Sequence, residues 1–523
     1  MAPRFVSADE AAARIRDGST LWLEGGSGGL NEPDTLYESV PRRFRKEGHP
    51  RDLTLVNSNG LGDGKGKGPD VFAIEGLVRC SIGGHYGFSP ALVKMIIANQ
   101  IEAYNLPQGV MAQLLRDIAA KRPGLLTTVG LGTFVDPRLN GGALNAISKR
   151  KLVERLILDG NEYLLYKTFS IDAAFIRGTT ADMDGNLSME EEVAYFNMLA
   201  AAQAAHNSGG IVIAQVKRVV RRDSLDPRMI RVPGVLVDYI VVESKQWQTY
   251  SGEYNPGLCG AAKVVVERQK KIALDERKVI CRRASMELVP GIINLGFGMS
   301  SGVADVAFEE GLERDVTFAI EQGLVGGIPT SGLIFGCAMN PQAILDQPNQ
   351  FDFFDGGGIE LACLGLAQVD PSGNVNVSKF GDRIAGAGGF MNITQGAQAV
   401  VYCGTFTTGG LQVAIRDGNV VILREGMIKK FVKQVEHLTY SGAFARKRGQ
   451  SVLFVTERGV FRLGEKGPIL IEIAPGIQLE NDILTQMEFV PQIAPDLKKM
   501  DPRIFREEPL GIRDEIIEKK SER

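Results

Sequence analysis

The carboxylate Glu321 is the residue whose surroundings most directly suggest chemistry. It follows the apolar run 316–320 in the segment RDVTFAIEQGLVGG and precedes Gly323, Gly326 and Gly327. Burying an ionised carboxylate without partners costs roughly several kcal/mol, so the position needs a reason. One interpretation is a turn glutamate that accepts hydrogen bonds from glycine N–H groups. The other is a nucleophile whose oxyanion intermediate the same kind of N–H group stabilises.

A second segment, GFGMS, has the composition of a phosphate-binding loop. It follows a short apolar run and precedes a helical pattern, so its amides and the helix N-terminus can hold a pyrophosphate. The spacing is G-x-G-x-x-x-G, ending at Gly302, and differs from the G-x-G-x-x-G of dinucleotide-binding folds. The candidate binding residues are Gly296, Phe297, Gly298, Met299 and Ser300.

An internal repeat places Glu321 at a distinctive position. RDLTLVNSNGL (51–61) aligns with RDVTFAIEQGL (314–324), so that Ser58 corresponds to Glu321. ADMDGNL (181–187) likewise resembles VDPSGNV (369–375). These matches predict two copies of one α/β unit, although independent strand and turn patterns would look similar. In parallel sheets ligands bind beyond the carboxyl ends of the strands, where Glu321 falls.

The elements that carry these residues alternate between strands and helices. Runs such as LTLVN, AFIRG and LACLG are apolar on both faces, as in parallel sheets, and end in Gly, Asp or Thr. Ser7 and Glu10 form a capping box that predicts a helix to about Asp17, and the segment 90–104 is predicted as helical. After Val400, hairpin patterns with an Asp-Gly turn predict antiparallel strands. The predicted fold class is therefore α/β, with two related open domains, mostly parallel sheets and antiparallel additions in the C-terminal part.

Composition excludes several classes of function. The net charge of -3 gives no electrostatic case for nucleic acid. No run approaches the roughly 20 apolar residues of a membrane span, and charges near the start replace the apolar core of a secretory signal, so we expect a cytoplasmic protein. The six cysteines lack a C-x-x-C pair and are expected to be reduced and mostly buried. The four histidines are widely spaced, so no metal site is expected.

The motifs together closely resemble the family I coenzyme A-transferases. EQGLVGG, the loop GAGGFMN (386–392) and DPSGNVNVSKFG resemble the β-type half of that family. GGSGG, NEPDTL, NLPQGV, GLGTFVDPR and RGTTADMDGNLSMEEE resemble the α-type half. The order and completeness of the motifs, over about residues 5 to 510, resemble the fused propionate and acetate CoA-transferase branch. The implied domains are 1–255 (α-type), a linker region at 256–280, and 281–523 (β-type, with the catalytic glutamate).

The resemblance implies roles for individual residues. Glu321 would attack an acyl-CoA thioester and then carry CoA as a glutamyl thioester. Gly388 or Gly389 would supply an oxyanion amide, and Gln108 would face the acyl group and thiolate; the alternatives are a plain glycine turn and a surface turn after Pro107. GFGMS (296–300) stands where the family binds CoA. The family's nucleotide-binding segment aligns with Asn374 and, less surely, Asn376, although Gly373 and Asn374 also fit a simple turn.

The resemblance also implies substrates and assembly. The partners are an acyl-CoA and small carboxylic acids, of which acetate, propionate, butyrate and lactate are expected in this branch. Coenzyme A would be a substrate and transient covalent adduct, with no separate cofactor. A homotetramer is implied by the resemblance alone, and the segment GGHYGFSP (83–90) is expected to line the acyl pocket.

Other functions remain open at this point. An acyl-CoA hydrolase of the same fold would differ only in admitting water to the intermediate. GGSGG also fits the G-x-S-x-G nucleophile elbow of serine hydrolases, with Ser27 as nucleophile and His437 as its base. A CoA-binding protein without activity would lack the glutamate, and Glu321 is present.

Overall fold

The computed structural model describes residues 3–266 and 272–519, which form two compact units. The first unit contains residues 1–264, 320–352 and 381–392, and the second contains 265–319, 353–380 and 393–523. The linker predicted at 256–280 includes residues 267–271, which lie outside the described residues. The domain boundaries drawn from the sequence, 1–255 and 281–523, stay a prediction.

The helices follow local signals in the sequence. The second helix of the chain buries Leu36, Tyr37 and Val40 on one face and ends at Gly48, whose φ of 75° makes the left-handed C-terminal cap. The α-helices of the described residues are Ala8–Ala12, Asp34–Glu47, Pro90–Ile97, Gln108–Ala119, Met198–Asn207, Pro256–Cys259, Glu276–Ser285, Gly302–Glu309, Gln347–Asp355, Phe390–Gly396, Gly442–Lys447 and Arg513–Glu518.

The first unit is built on a parallel sheet. Its strands lie in the order Arg4–Phe5, Tyr239–Val242, Ile211–Val220, Ala173–Asp182, Thr20–Leu23, Leu53–Asn57, Val78–Gly83 and Glu102–Asn105, with Leu187–Ser188 and Ile230–Val232 added antiparallel beside it. A separate antiparallel sheet contains Gly124–Thr127, Asn161–Lys167 and Val153–Leu158. Every residue of Leu53–Asn57 and Ala173–Asp182 is buried, as expected for parallel strands covered on both faces.

The second unit has a mixed sheet, which confirms the predicted fold class. Parallel strands Thr317–Ile320, Ile292–Leu295, Leu361–Gly365, Ala399–Cys403 and Ser451–Val455 are followed in order by Gly459–Gly464, Gly467–Ile473 and Gln492–Lys499. Gly459–Gly464 pairs antiparallel with both neighbours. The predicted Asp417-Gly418 turn joins Gln412–Arg416 to Asn419–Arg424. The remaining short strands of the described residues belong to either unit and are Leu324–Val325, Ile328–Pro329, Ala338–Met339, Ala343–Ile344, Gln368–Val369, Val375–Asn376, Lys379–Phe380, Arg383–Ile384, Thr407–Thr408 and Ile428–Lys429.

Two helix predictions were too long. The capping box of Ser7 and Glu10 is present, but its helix ends at Ala12, where the N–H of Ile15 donates to the carbonyl oxygen of Ala12 in a tighter turn. The guanidinium group of Arg43 donates to the carbonyl oxygens of Ala12 and Ile15 beyond that end. The segment 90–104 is helical only to Ile97. Its last residues enter the strand Glu102–Asn105, where pairing with the neighbouring strand overrides helical propensity.

The internal repeat is present in the hydrogen bonding. In the first unit, Asp182 accepts from the N–H groups of Asp184 and Asn186, and Asn186 Nδ2 donates to Asp182 Oδ2 at 2.9 Å. In the second unit, Asp370 makes the same three bonds with Ser372 and Asn374. The strands Leu53–Asn57 and Thr317–Ile320 also end one residue before Ser58 and Glu321, as the alignment requires.

All six cysteines are free thiols, and five of them are buried, as predicted. Within residues 3–266 and 272–519, no helix is long and apolar enough to cross a membrane.

The shared turn gives a prediction about stability. Asp370 is 5% exposed and accepts three hydrogen bonds, so Asp370→Ala leaves those donors without their acceptor. We expect the free energy of unfolding, measured by urea denaturation, to fall by about 1–3 kcal/mol. Asp496→Ala, which removes an exposed carboxylate from the edge strand Gln492–Lys499, is the matched control. Equal effects of the two substitutions would show that the turn bonds contribute nothing specific.

Candidate active site

Glu321 lies in a turn that requires glycine at position 323. It is 8% exposed and follows Ile320, which packs in an apolar cluster with Leu30 and Phe196. Gly323 has a φ of 108°, and a Cβ there would lie 2.1 Å from the carbonyl oxygen of Leu345. A side chain at that position is therefore excluded by both backbone conformation and space. The turn holds a nearly buried carboxylate against an apolar wall.

Gln108 is buried at the start of the helix Gln108–Ala119. It is 3% exposed, its backbone N–H donates to the carbonyl oxygen of Gly388 at 2.9 Å, and its Nε2 donates to Asn59 Oδ1 at 2.8 Å. A surface turn after Pro107 is therefore wrong as a description of this residue. Gln108 sits beyond the carboxyl end of the strand Glu102–Asn105, and Asn59 lies beyond the end of Leu53–Asn57.

Hydrogen bonds connect the glycine loop 386–389 to the residues at these strand ends. The N–H of Ala387 donates to Asn105 Oδ1 at 2.8 Å, and Asn105 Nδ2 donates to the carbonyl oxygens of Gly83 and Gly84. A Cβ added to Gly388 would lie 3.6 Å from Gln108 Oε1. The structure therefore brings Gln108 and the glycine loop together within the first unit.

The two candidate oxyanion donors differ in their hydrogen bonding. The N–H of Gly388 donates to the carbonyl oxygen of Gly84 at 2.8 Å. In the described part of the chain, the N–H of Gly389 donates to no backbone or side-chain acceptor, although the residue is buried. A buried donor without a protein partner is suited to binding a charge that develops on a substrate.

His85 packs beside this loop as a neutral ring. Burial lowers the pKa of His85 to about 4, so the imidazole is uncharged at neutral pH. The N–H of Gly87 donates to its Nδ1 at 3.2 Å, which leaves the ring proton on Nε2. Its Cδ2 lies 3.6 Å from the Cβ position of Gly388, and its ring is 5.6 Å from that of Phe88. The GGHYGFSP segment therefore contributes apolar ring surface next to the glycine loop.

The GFGMS segment belongs to the second unit and has the predicted strand, loop and helix order. It follows the strand Ile292–Leu295, Gly298 has a φ of 91°, and a single turn at Met299–Ser301 leads into the helix Gly302–Glu309. Phe297 is 55% exposed. The guanidinium group of Arg277 donates to the carbonyl oxygen of Gly298 and to Ser301 Oγ, and this nearby positive charge was not singled out from the sequence.

Asn374 and Asn376 use their side chains within their own turns. Asn374 Nδ2 donates to Asp370, and its Oδ1 accepts from the N–H of Gly442 at 3.0 Å. Asn376 Nδ2 donates to Gln368 Oε1 and to the carbonyl oxygen of Lys379, each at 2.8 Å. These contacts fit the turn interpretation that the sequence left open, and binding of CoA by either residue stays a prediction.

The serine hydrolase motif does not form an elbow. Ser27 begins a three-residue 3₁₀ turn in which Gly28 has a φ of 75°, whereas a nucleophile elbow leads from a strand directly into a helix. His437 lies in the second unit, where its Nδ1 is 2.8 Å from Ser378 Oγ. The glycine-rich composition of GGSGG therefore explains the motif match.

Sequence reasoning missed most of the residues that surround Gln108. Gln347, Asn197 and Glu24 connect with Asn59 in a buried hydrogen-bonded chain, yet they are single polar residues far apart in sequence. Asn59 stood out only as the counterpart of Gln322 in the repeat. The position of Asn59 next to Gly60, just beyond the end of the strand Leu53–Asn57, was the one available signal.

Comparisons with known proteins identify the family of this chain. A sequence profile of the family Coenzyme A transferase matches residues 5–243. Acetate CoA-transferase YdiF of Escherichia coli (strain K12) is 43% identical over 508 residues, which cover 97% of this chain and 96% of the relative. Caffeate CoA-transferase of Acetobacterium woodii is 46% identical over 513 residues, covering 96% of this chain and 98% of the relative.

A solved structure is similar over the same extent. The acyl-CoA transferase YdiF from E. coli O157:H7, crystallised as a thioester complex with CoA, has a TM-score of 0.93 and 41% sequence identity. The match covers 98% of this chain and 97% of that one. Because these similarities extend over nearly the whole chain, the protein belongs to the coenzyme A transferase family and is an enzyme that transfers CoA.

Proposed function

We propose that this enzyme moves CoA between a short-chain acyl-CoA and a free short-chain carboxylate through a glutamyl-CoA thioester on Glu321. The observation that carries the proposal is the 8% exposed carboxylate in a glycine turn, within the same compact unit as Gln108 and the glycine loop. Carboxylate is a weak nucleophile in water, and partial desolvation against an apolar cluster raises its reactivity. The thioester complex of the YdiF relative supports the same kind of intermediate.

The chemistry proceeds by exchange of acyl bonds. A carboxylate oxygen of Glu321 attacks the thioester carbonyl carbon, the carbon–sulfur bond breaks, and the products are an acyl-glutamyl mixed anhydride and CoA as a thiolate. The thiolate then attacks the glutamyl carbonyl, the first carboxylate departs with the bridging oxygen, and the glutamyl thioester remains. A second carboxylate reverses these steps. The four charges that develop on carbonyl oxygen along this path need an N–H donor rather than a general base.

The segment 345–347 supports a common site for Glu321 and Gln108. The N–H of Leu345 donates to the carbonyl oxygen of Gly323, two residues beyond Glu321, at 2.8 Å. Gln347 Nε2 donates to Asn59 Oδ1, which also accepts from Gln108. One short segment therefore braces the glutamate turn and the residues that hold Gln108.

The identity of the acid calls for a direct assay. Relatives of similar identity are named for acetate and for caffeate, so overall identity does not select between a small and an aromatic acid. We propose acetate, propionate, butyrate and lactate as acceptors, with caffeate as the bulky comparison in the same panel. Release of free CoA without an acceptor would instead favour acyl-CoA hydrolysis, the alternative activity of this fold. A homotetramer is also proposed, and light scattering that gave a monomer at micromolar concentration would contradict it.

The first prediction concerns Glu321. Glu321→Gln keeps the shape of the side chain without a carboxylate nucleophile, so the rate of CoA exchange between acetyl-CoA and propionate should fall by orders of magnitude. Glu321→Asp keeps the charge but retracts it, and a displacement of about 1 Å can cost roughly 10²-fold in rate. A fully active Gln variant would refute the proposed mechanism.

The second prediction concerns the oxyanion donor. Gly389→Pro removes the N–H, and we expect turnover to fall by about 10²–10³-fold, as on loss of one oxyanion donor. Gly389→Ala keeps the N–H and is the matched control for the added side chain. Circular dichroism checks that both variants fold. Equal losses of turnover in the two variants would show that the added side-chain atoms, and not the missing N–H, cause the loss. Gly388 would then be the candidate oxyanion donor.

The third prediction concerns Gln108. If its amide faces the reacting thioester, Gln108→Ala should lower kcat and leave CoA affinity nearly unchanged, because the nucleotide part of CoA is bound elsewhere. Steady-state kinetics with calorimetric CoA binding separates the two quantities. Unchanged kcat would remove Gln108 from the reaction.

A further inference from the structure

A chain of buried polar side chains leads from Glu24 to Gln108 in the first unit. Glu24 follows the strand Thr20–Leu23, and none of the six side chains is more than 3% exposed. The chain contains Glu24, Asn197, Ser58, Gln347, Asn59 and Gln108. Burying this many polar groups costs free energy unless all are hydrogen-bonded, so the arrangement calls for a function beyond packing.

The chain begins at a carboxylate that only accepts hydrogen bonds. Glu24 Oε2 accepts from Trp22 Nε1 at 2.6 Å, and Oε1 accepts from the N–H of Gly25 and from Asn197 Nδ2 at 3.0 Å. An ionised carboxylate has no proton to donate, so the amide of Asn197 must turn its NH₂ group toward Glu24. Glu24 therefore fixes which way round the first amide lies.

The orientation of Asn197 determines the orientation of each side-chain amide that follows it in the chain. Asn197 Nδ2 also donates to Gln347 Oε1 at 2.8 Å, which places the oxygen of Gln347 toward Asn197. Gln347 and Asn59 then pair reciprocally, with Gln347 Nε2 donating to Asn59 Oδ1 at 2.7 Å and Asn59 Nδ2 donating to Gln347 Oε1 at 3.1 Å. An amide nitrogen must face an oxygen at every contact of the chain. The orientation that Glu24 imposes on Asn197 therefore determines the orientation of the other side-chain amides.

The last step reaches the residue proposed to act on the substrate. Asn59 Oδ1, already oriented by Gln347, accepts from Gln108 Nε2 at 2.8 Å, and this leaves Gln108 Oε1 toward Gly388. Ser58 Oγ lies 2.9 Å from Asn197 Nδ2 and 3.1 Å from Asn59 Nδ2, so the same oxygen is within hydrogen-bonding distance of both amide groups. Ser58 is the counterpart of Glu321 in the repeat, so the equivalent strand end in the first copy holds the chain together.

We propose that Glu24 is a positioning residue that sets the orientation of the Gln108 side-chain amide through Asn197, Gln347 and Asn59. The inference rests on the proposed role of Gln108 and adds residues that no motif of the family assigns. Without the carboxylate of Glu24, each side-chain amide can rotate so that its oxygen and nitrogen exchange places. Gln108 then presents its NH₂ group instead of its oxygen to the reacting thioester.

The ionisation of Glu24 makes this arrangement sensitive to pH. Desolvation raises the pKa of Glu24 to about 7, against hydrogen bonds from Trp22, Asn197 and Gly25 that favour the charged form. Tyr37 on the helix Asp34–Glu47 donates to the backbone carbonyl oxygen of Glu24, and burial raises the pKa of its hydroxyl well above the ordinary value. The charge of Glu32, whose pKa burial raises to about 8, acts on the same hydroxyl. Below about pH 7 Glu24 carries a proton and ceases to be a pure acceptor, so turnover should fall on the acid side.

The first unit contains a second amide chain that serves as a control. Gln215 Nε2 donates to Gln246 Oε1, and Gln246 Nε2 donates to the buried carboxylate Glu192 at 3.1 Å. Gln246 is 6% exposed, so Gln246→Ala removes a buried glutamine that has no bond to Glu24 or Gln108. It matches Gln347→Ala in chemistry and burial.

The first experiment reads the chain without using activity. The protein has two tryptophans, so Trp247→Phe leaves Trp22, whose Nε1 donates to Glu24, as the only tryptophan, and its emission is excited selectively over that of tyrosine. We expect its emission to titrate near pH 7, the transition to vanish in Glu24→Gln, and its midpoint to move in Gln347→Ala but not in Gln246→Ala. A transition that persists in Glu24→Gln, or equal midpoints in the two alanine variants, would overturn the proposal.

The second experiment is a double-mutant cycle on kcat. Glu24→Gln should lower kcat by about ten- to a hundredfold, the scale of a slight misplacement, with little change in KM. If Glu24 acts through Gln108, the Glu24→Gln/Gln108→Ala enzyme should be no slower than Gln108→Ala, and both should lack the acid limb near pH 7. Additive losses would overturn the proposal. Full activity of Gln108→Ala alone would refute the role of Gln108 in the reaction, while the emission titration decides separately whether the chain is coupled.

Discussion

The structure of the candidate active site depends on keeping the carboxylate of Glu321 largely out of contact with water. Removing such a charge from solvent costs roughly several kcal/mol, and the fold must supply that free energy elsewhere. The strand before Glu321 ends in Ile320, which packs into an apolar cluster, and Gly323 adopts a backbone conformation and a space that no side chain tolerates. The glutamate is therefore fixed by its neighbours in the chain, and the reactivity proposed for it would follow from the same exclusion of water that makes its burial costly.

The two copies of the repeat share a turn and differ at one strand end. The Asp-x-x-Gly-Asn turn has the same hydrogen bonds around Asp182 and around Asp370, which shows that the shared residues are structural. At the strand ends the copies differ, with Ser58 in one and Glu321 in the other. Ser58 Oγ lies within hydrogen-bonding distance of Asn197 Nδ2 and Asn59 Nδ2, so the first copy has a neutral polar residue where the second has the carboxylate.

Much of the fold could be predicted because it depends on local patterns. Buried parallel strands, the capping box at Ser7 and the Asp417-Gly418 hairpin all have signatures within a few residues. The errors lie where tertiary contacts compete with local signals: Arg43 donates to the carbonyl oxygens of Ala12 and Ile15 at the end of the first helix, and Glu102–Asn105 pairs as a strand. Of the site, the glutamate turn and the glycine loop follow from glycine spacing. The chain of Glu24, Asn197 and Gln347 could not be predicted, because its members are brought together only by folding.

The central claim is that Glu321 carries CoA during turnover. Incubating the enzyme with acetyl-CoA in the absence of an acceptor, followed by proteolysis and mass spectrometry, tests it most directly. The account predicts that the mass of CoA minus one water is added to the peptide containing Glu321 and is lost when acetate or propionate is supplied. CoA attached to any other residue, or an unmodified peptide under conditions in which exchange proceeds, would contradict the account.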